Sequence, residues 1–275
     1  MTVNAESINT TNKDFPRKEF YGPVSRLSQY LNKLLMPIVI GEHSIEMVAN
    51  FQRICGLQAD GKVTNWVLNI YFRLASTAGE EIFSLMPLLF WMALPVAVPF
   101  LTNFFILQIT GQLTKDFFCL PRPISAPGHK NPIIKLDNHF DTEYGLPSTH
   151  TIAGLLPITT LLILLRHGMV ISTTAWIVAG IYWISVALSR LYLGVHSVYD
   201  LIAGALLGTG LTALLHIYGD ALDVFLYQYA GALQVQVAVL VVYLVGYPRS
   251  GPWSASFGTA AQMVGPFFGC GTALW

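Results

Sequence analysis

The sequence predicts an all-α protein that crosses a membrane several times, and three observations lead there. Of 275 residues, 53% are hydrophobic and only 11% charged, against about 25% charged in an ordinary soluble domain. No charged residue occurs in 82–114, 169–189, 201–219 or 224–248. Each run is close to the ~20 apolar residues that carry a helix across a ~30 Å hydrocarbon core. Only a helix satisfies its own backbone in that layer. The expected architecture is a polytopic bundle of six spans with one or two more behind it.

Residues 1–60 read as a polar extension carrying Lys13, Arg17, Lys18, Arg26 and Lys33 and ending in an amphipathic or interfacial helix around MVANFQRICGLQADG. The excess of cations places the extension in the cytosol. No short apolar core follows a basic start, so no cleavable signal peptide is expected. A membrane-embedded domain over 61–248 follows, its first span at 63–77 interrupted by Arg73. The run 82–114 would measure ~50 Å as one helix, too long for a single crossing. Pro87, Pro95 and Pro99 divide it into two short spans meeting near 94–98. By this count three crossings precede Lys115.

A polar loop at 115–148 is followed by spans at 149–165, 171–189, 198–218 and 225–246. The segment 249–275 is glycine-rich and reads as a broken last span. Cys55, Cys119 and Cys270 are widely spaced, which excludes both a disulfide framework and a metal-ligand pattern. The formal net charge is zero and no basic stretch suggests a nucleic-acid partner.

Chemistry concentrates in three phrases: KDFFCLPRP at 115–123, GLPSTH at 145–150 and SRLYLGVHSVYD at 189–200. Two crossings separate the second from the third, so both lie on one membrane face. His196 and Asp200, four residues apart on a helix, share a face. The carboxylate can hold the Nδ1 proton and leave Nε2 as a nucleophile. Read alone, the pair is equally an interfacial cap. Ser148 suits an N-cap, and beside it a helix start favours an anion. Lys115, Arg122 and Arg190 also fit the ordinary role of cations that anchor helix ends. Taken together, three cations, two histidines, a serine and an aspartate are what hydrolysis of a phosphate monoester asks for.

These residues resemble a known signature. Lys115 to Pro123 fits K-x6-R-P, Pro147 to His150 fits P-S-x-H, and Ser189 to Asp200 fits S-R-x5-H-x3-D. The three in this order resemble the phosphatase signature of the type 2 phosphatidic acid phosphatase superfamily. Thr149 stands where glycine is usual. The phrase PSTH, with LPRPISAP before it and MVANFQRICGL at 47–57, is similar to the sphingosine-1-phosphate phosphatases and their long-chain-base phosphate relatives, over about 45–260. Those relatives continue through further spans, so the chain reads as a truncated isoform, an incomplete gene product or a shorter variant.

The resemblance implies His196 as nucleophile, Asp200 as its orienting group and His150 as general acid and then base. It also implies Lys115, Arg122, Arg190 and Ser148, with backbone N–H groups near Ser148 and Gly194, as the phosphate pocket. No metal or other cofactor is expected, since the cations supply the charge. The expected partners are a phosphorylated sphingoid or other lipid substrate and the bilayer. The expected compartment is the endoplasmic reticulum, with the site facing the lumen. Three other readings compete: a broad phosphatase of phosphatidic or lysophosphatidic acid, a catalytically silent scaffold, and a metal-binding transporter using His150, His196 and Asp200. The surrounding cations tell against the last.

Overall fold

The computed structural model describes residues 25–79, 97–125, 132–137, 143–248 and 256–264. Within them every regular element is helical, apart from one isolated bridge between Leu57 and Val63. Helices α1 (Arg26–Val39), α2 (Glu42–Ile54) and α3 (Trp66–Ala78) precede the long α4 (Ala97–Phe118). A short α5 (Thr149–Ala153) runs into α6 (Leu156–Arg166), followed by α7 (Thr173–Tyr192), α8 (Val198–Asp223) and α9 (Ala232–Gly246). Residues 256–264 are also helical.

Local chemistry fixes most of the starts. Ser25, Asn65, Ser148, Ser172 and Ser197 are N-caps whose side-chain oxygens accept a backbone N–H of the first turn, which satisfies a donor that the helix itself cannot. The break expected near 94–98 falls at the edge of the described residues, which resume at Ala97 within α4, and the rest of that expectation lies outside them. The gap expected after 218 is absent. Gly219 and Asp220 do not interrupt α8, which continues to Asp223 and through a π-helical turn at Val224–Gln228.

The segments Thr149–Arg166, Thr173–Tyr192 and Val198–Gln228 are long and apolar enough to cross a membrane, and α9 is a shorter apolar helix. α4, α5 and α8 pack around Phe104, Leu107, Ile152, Leu156 and Leu215. Small residues allow the close approach. A Cβ on Gly204 would stand 2.6 Å from the Ser148 carbonyl oxygen, and one on Gly208 would stand 2.6 Å from Leu155 Cδ1. The far end of the bundle is marked by Arg166, which donates to the Leu215 carbonyl at 2.7 Å and pairs with Asp220 at 3.0 Å.

The first helices change the topology expected from sequence. At ~20 Å each, α1 and α2 are too short to cross, and both lie over the opposite end from Arg166. Asn32 Nδ2 donates to the Phe118 and Cys119 carbonyls at 2.7 and 3.0 Å, and Ser28 donates to the Phe117 carbonyl. These are carbonyls that the end of α4 leaves without helical partners. On α2, Gln52 Nε2 donates to the Ile134 and Tyr192 carbonyls at 2.7 and 2.9 Å, and Oε1 accepts Ile134 N–H at 3.0 Å. Both helices therefore share a membrane face with the ends of α4 and α7. An even number of crossings separates them from Lys115, however 80–96 runs. The expected count of three, and with it the pairing of a cytosolic extension with a lumenal site, does not hold.

Candidate active site

The three phrases meet at that end. Lys115 sits in the last turn of α4, Arg122 follows it, and Ser148 caps α5, which carries His150 in its first turn. Arg190 lies in the last turn of α7, and His196 in the turn before α8. Lys115, Arg122 and Arg190 are only 1%, 3% and 0% exposed, and His150, His196 and Asp200 are equally buried.

The turn from α7 to α8 is built by Gly194, whose φ of +73° is a left-handed conformation that glycine adopts without strain. A Cβ there would also fall 2.5 Å from the Ile134 carbonyl oxygen. Ser197 and Asp200 then form a reciprocal capping box: Ser197 N–H donates to Asp200 Oδ2 at 2.7 Å and Asp200 N–H to Ser197 Oγ at 3.1 Å. The box aims the carboxylate back at the imidazole, with His196 Nδ1 3.4 Å from Asp200 Oδ2. The second phrase is locked to the third by Ser148 N–H donating to the Asp200 carbonyl at 3.0 Å.

Arg122 organises the centre. Its Nη1 donates to the Val195 carbonyl at 2.8 Å and lies 3.1 Å from His196 Nε2. A guanidinium has only donors, so Nε2 is the accepting nitrogen and the ring proton sits on Nδ1, toward Asp200. Burial first, then the neighbouring Arg122, Arg190, Lys115 and His150, hold the His196 pKa well below its usual value. The imidazole is neutral, with its Nε2 lone pair directed at a guanidinium.

Glu143, in the loop before Ser148, closes the arrangement. Its Oε2 is 2.7 Å from Lys115 Nζ and 3.3 Å from Arg122 Nη2, and its backbone carbonyl accepts Arg122 Nε at 3.2 Å. One carboxylate thus bridges two of the three cations. Arg190 Nη1 donates to Ser76 Oγ on α3 at 2.5 Å. Burial lowers the Lys135 pKa, Asp137 opposes the shift, and Arg122 adds to it.

Every candidate residue named from sequence lies in this cluster or in the turn that frames it. The Gly194 N–H donates to the Leu191 carbonyl at 3.0 Å, and what this residue contributes is the bend itself. Sequence reasoning missed Glu143, Ser76, Gln52, Asn32 and Ser28. Only Gln52 carried a signal, as a polar position on the inward side of an amphipathic helix. Among the described residues no group of three or more His, Cys, Asp or Glu side chains is arranged to hold a metal.

Comparison with known proteins agrees with the signature. The model of the PAP2 superfamily matches residues 84–222. The chain is 30% identical to sphingosine-1-phosphate phosphatase 2 of Mus musculus, over 84% of this chain and 67% of that one. It is 32% identical to sphingosine-1-phosphate phosphatase 1 of the same species, over 77% of this chain and 49% of that one. The chain thus spans between half and two thirds of these relatives. Among solved structures, a transmembrane PAP2-type phosphatidylglycerolphosphate phosphatase from Bacillus subtilis aligns with a TM-score of 0.49 and 18% identity, covering 71% of this chain and 93% of that one.

Proposed function

The chain belongs to the PAP2 superfamily, and on that premise we propose that it is a metal-independent phosphatase of sphingosine-1-phosphate and related sphingoid long-chain-base phosphates. The observation that carries the chemistry is the alignment of Asp200, His196 and Arg122, which leaves Nε2 unprotonated and faces it toward a phosphate-binding cation. The relatives' names supply the substrate class.

In the proposed reaction the substrate phosphate takes the place of the Glu143 carboxylate on Lys115 and Arg122, and draws the Arg122 fork off Nε2. Nε2 then attacks phosphorus while the bond from phosphorus to the lipid oxygen breaks. His150 gives that oxygen a proton, so the lipid leaves as an alcohol. Asp200 stabilises the charge on the phosphorylated imidazole by holding Nδ1–H. Next, His150 takes a proton from water and the hydroxide attacks phosphorus. The bond to nitrogen breaks, releasing inorganic phosphate and restoring His196. Lys115, Arg122 and Arg190 stabilise the charge on the equatorial oxygens, which in other phosphatases is a metal's part. Ser148 spends its oxygen on the cap and keeps a hydroxyl proton to donate.

We place the protein in the endoplasmic reticulum membrane with this face lumenal, on the strength of the resemblance; α1 and α2 then lie on the lumenal side as well.

The test is phosphate release from sphingosine-1-phosphate and phosphatidic acid in the same micelles, with excess chelator, beside His196→Ala. Chelator-resistant, His196-dependent release favouring the sphingoid substrate supports the whole reading. Release favouring phosphatidic acid overturns the substrate and keeps the chemistry. Activity retained in His196→Ala overturns the mechanism.

A further inference from the structure

The two cations proposed to hold phosphate carry a carboxylate on their more accessible side. Lys115 and Arg122 are 1% and 3% exposed, whereas Glu143, whose Oε2 contacts both at 2.7 and 3.3 Å, is 11% exposed. On the buried side, Arg122 Nη1 lies 3.1 Å from His196 Nε2. A phosphate seated on these cations and facing His196 therefore leads the rest of its molecule outward past Glu143.

The main chain under that carboxylate is fixed. The Glu143 carbonyl accepts Arg122 Nε at 3.2 Å, and just beyond it Gly145 N–H donates to the Leu120 carbonyl at 2.8 Å. A Cβ on Gly145 would lie 3.2 Å from the Pro121 carbonyl oxygen and 3.3 Å from Asp200 Oδ2, so the loop runs tight against the Arg122 segment and the start of α8. When phosphate takes the cations, the backbone stays with Arg122 and the Glu143 side chain turns aside within its own length. The displaced anion remains beside the phosphate.

Resting on the phosphatase reading above, we infer that Glu143 is the specificity-determining residue, exchanging Lys115 and Arg122 for the ammonium group of a sphingoid base phosphate. In such a lipid the amine is on the carbon next to the one that bears the phosphate ester. Phosphate on the two cations thus brings an ammonium to the accessible side, where the displaced carboxylate stands. Each charge keeps a partner through the exchange: phosphate on Lys115 and Arg122, ammonium on Glu143. A phosphate ester without the amine, such as phosphatidic acid, leaves two anions side by side in a site with little water to screen them. The same carboxylate therefore attracts one substrate and repels the other. A site that pairs with a substrate group rejects an analogue lacking it far better than an apolar pocket rejects a missing methylene.

The experiment compares kcat/KM for sphingosine-1-phosphate with that for an analogue bearing a hydroxyl in place of the amine, in the same micelles, for the parent, Glu143→Gln and Glu143→Asp. Charge-assisted pairing predicts a parent preference of roughly 10- to 100-fold for the amine, lost in Glu143→Gln and largely kept in Glu143→Asp. The analogue's own kcat/KM rises in Glu143→Gln relative to that of the amine, because no carboxylate contests its cations. The ratio of the two substrates is independent of how much of the sample is folded. An equal preference in the parent and Glu143→Gln overturns the assignment, and a preference lost alike in Glu143→Gln and Glu143→Asp overturns the role of the charge. A parent without preference overturns it too, and decides the matter even where a variant fails to fold. A parent that releases phosphate from neither lipid removes the phosphatase reading itself, an outcome distinct from an active parent that ignores the amine.

Discussion

Glu143 Oε2 lies 2.7 Å from Lys115 Nζ and 3.3 Å from Arg122 Nη2, so an anion of the protein itself occupies the two cations proposed to hold the substrate phosphate. In the proposed reaction the substrate displaces it. Glu143→Gln should lower the melting temperature of the ligand-free protein, because buried cations lose their counter-ion, a loss of about 1–3 kcal/mol. It should also raise the stabilisation produced by phosphate or vanadate, since mass action stabilises more as Kd falls. A thermal-shift titration of both proteins checks this, and an identical ligand response would refute the displacement.

Asp200 faces His196 Nδ1 at 3.4 Å and belongs to the capping box at the start of α8. Asp200→Asn keeps the shape while removing the charge behind Nδ1, and should cut kcat by roughly 10²- to 10⁴-fold. Loss of the charged cap costs about 1 kcal/mol in stability. Because the two residues work as a unit, adding Asp200→Asn to His196→Ala should cost almost nothing further in activity. Additive losses would sink the pairing.

The buried neutral imidazole carries a pH signature. Burial first, then Arg122 and its neighbours, depress the His196 pKa in the folded protein, while the unfolded chain titrates near 6.5. Below about 6.5 the unfolded state binds a proton that the folded state refuses, so stability falls as pH drops from there toward the depressed value. Above 6.5 the group has no effect. In melting curves between pH 7.5 and 5, His196→Gln should reduce the acid slope by up to about 1.4 kcal/mol per pH unit. Parallel curves would show that His196 titrates alike in the folded and unfolded states and would refute the depression.

Gln52 holds the backbone of both Ile134 and Tyr192, and so the turn that carries His196. Gln52→Leu leaves those buried groups unsatisfied, at about 1–3 kcal/mol each. The expected result is a lower melting temperature together with a reduced kcat and a KM within a few-fold of the parent. A change in KM alone would point to substrate contact instead.

The shared face of α1, α2 and the site is open to direct test. A glycan acceptor in the turn after α2, around 57–63, and another in the loop around 128–142 should be modified together or not at all. Modification of one without the other, with a working control site, would overturn the even number of crossings.

The spans were legible because an apolar run of membrane length has no other way to satisfy its backbone. That the three phrases would meet was legible because each stands at a helix end, and the fold gathers those ends with little rearrangement. Glu143 was not, since nothing local marks one acidic loop residue among several as the one that reaches Lys115. Gln52, Asn32 and Ser28 were hidden for a related reason. Their partners are backbone carbonyls some 80 to 140 positions away, and a carbonyl has no sequence identity. That same blindness produced the wrong crossing count, because the cations of the first 60 residues were weighed while the buried amides that fasten α1 and α2 to the bundle were not.

The position of the buried centre at one end of the bundle, under α1 and α2 and far from Arg166, has a consequence for the bilayer. In the proposed reaction a lipid anchored by its alkyl chain would reach His196 from one leaflet only, and the dephosphorylated product would return to that leaflet. Such an activity would change the composition of a single monolayer, with supply from the other set by how fast lipids cross between them.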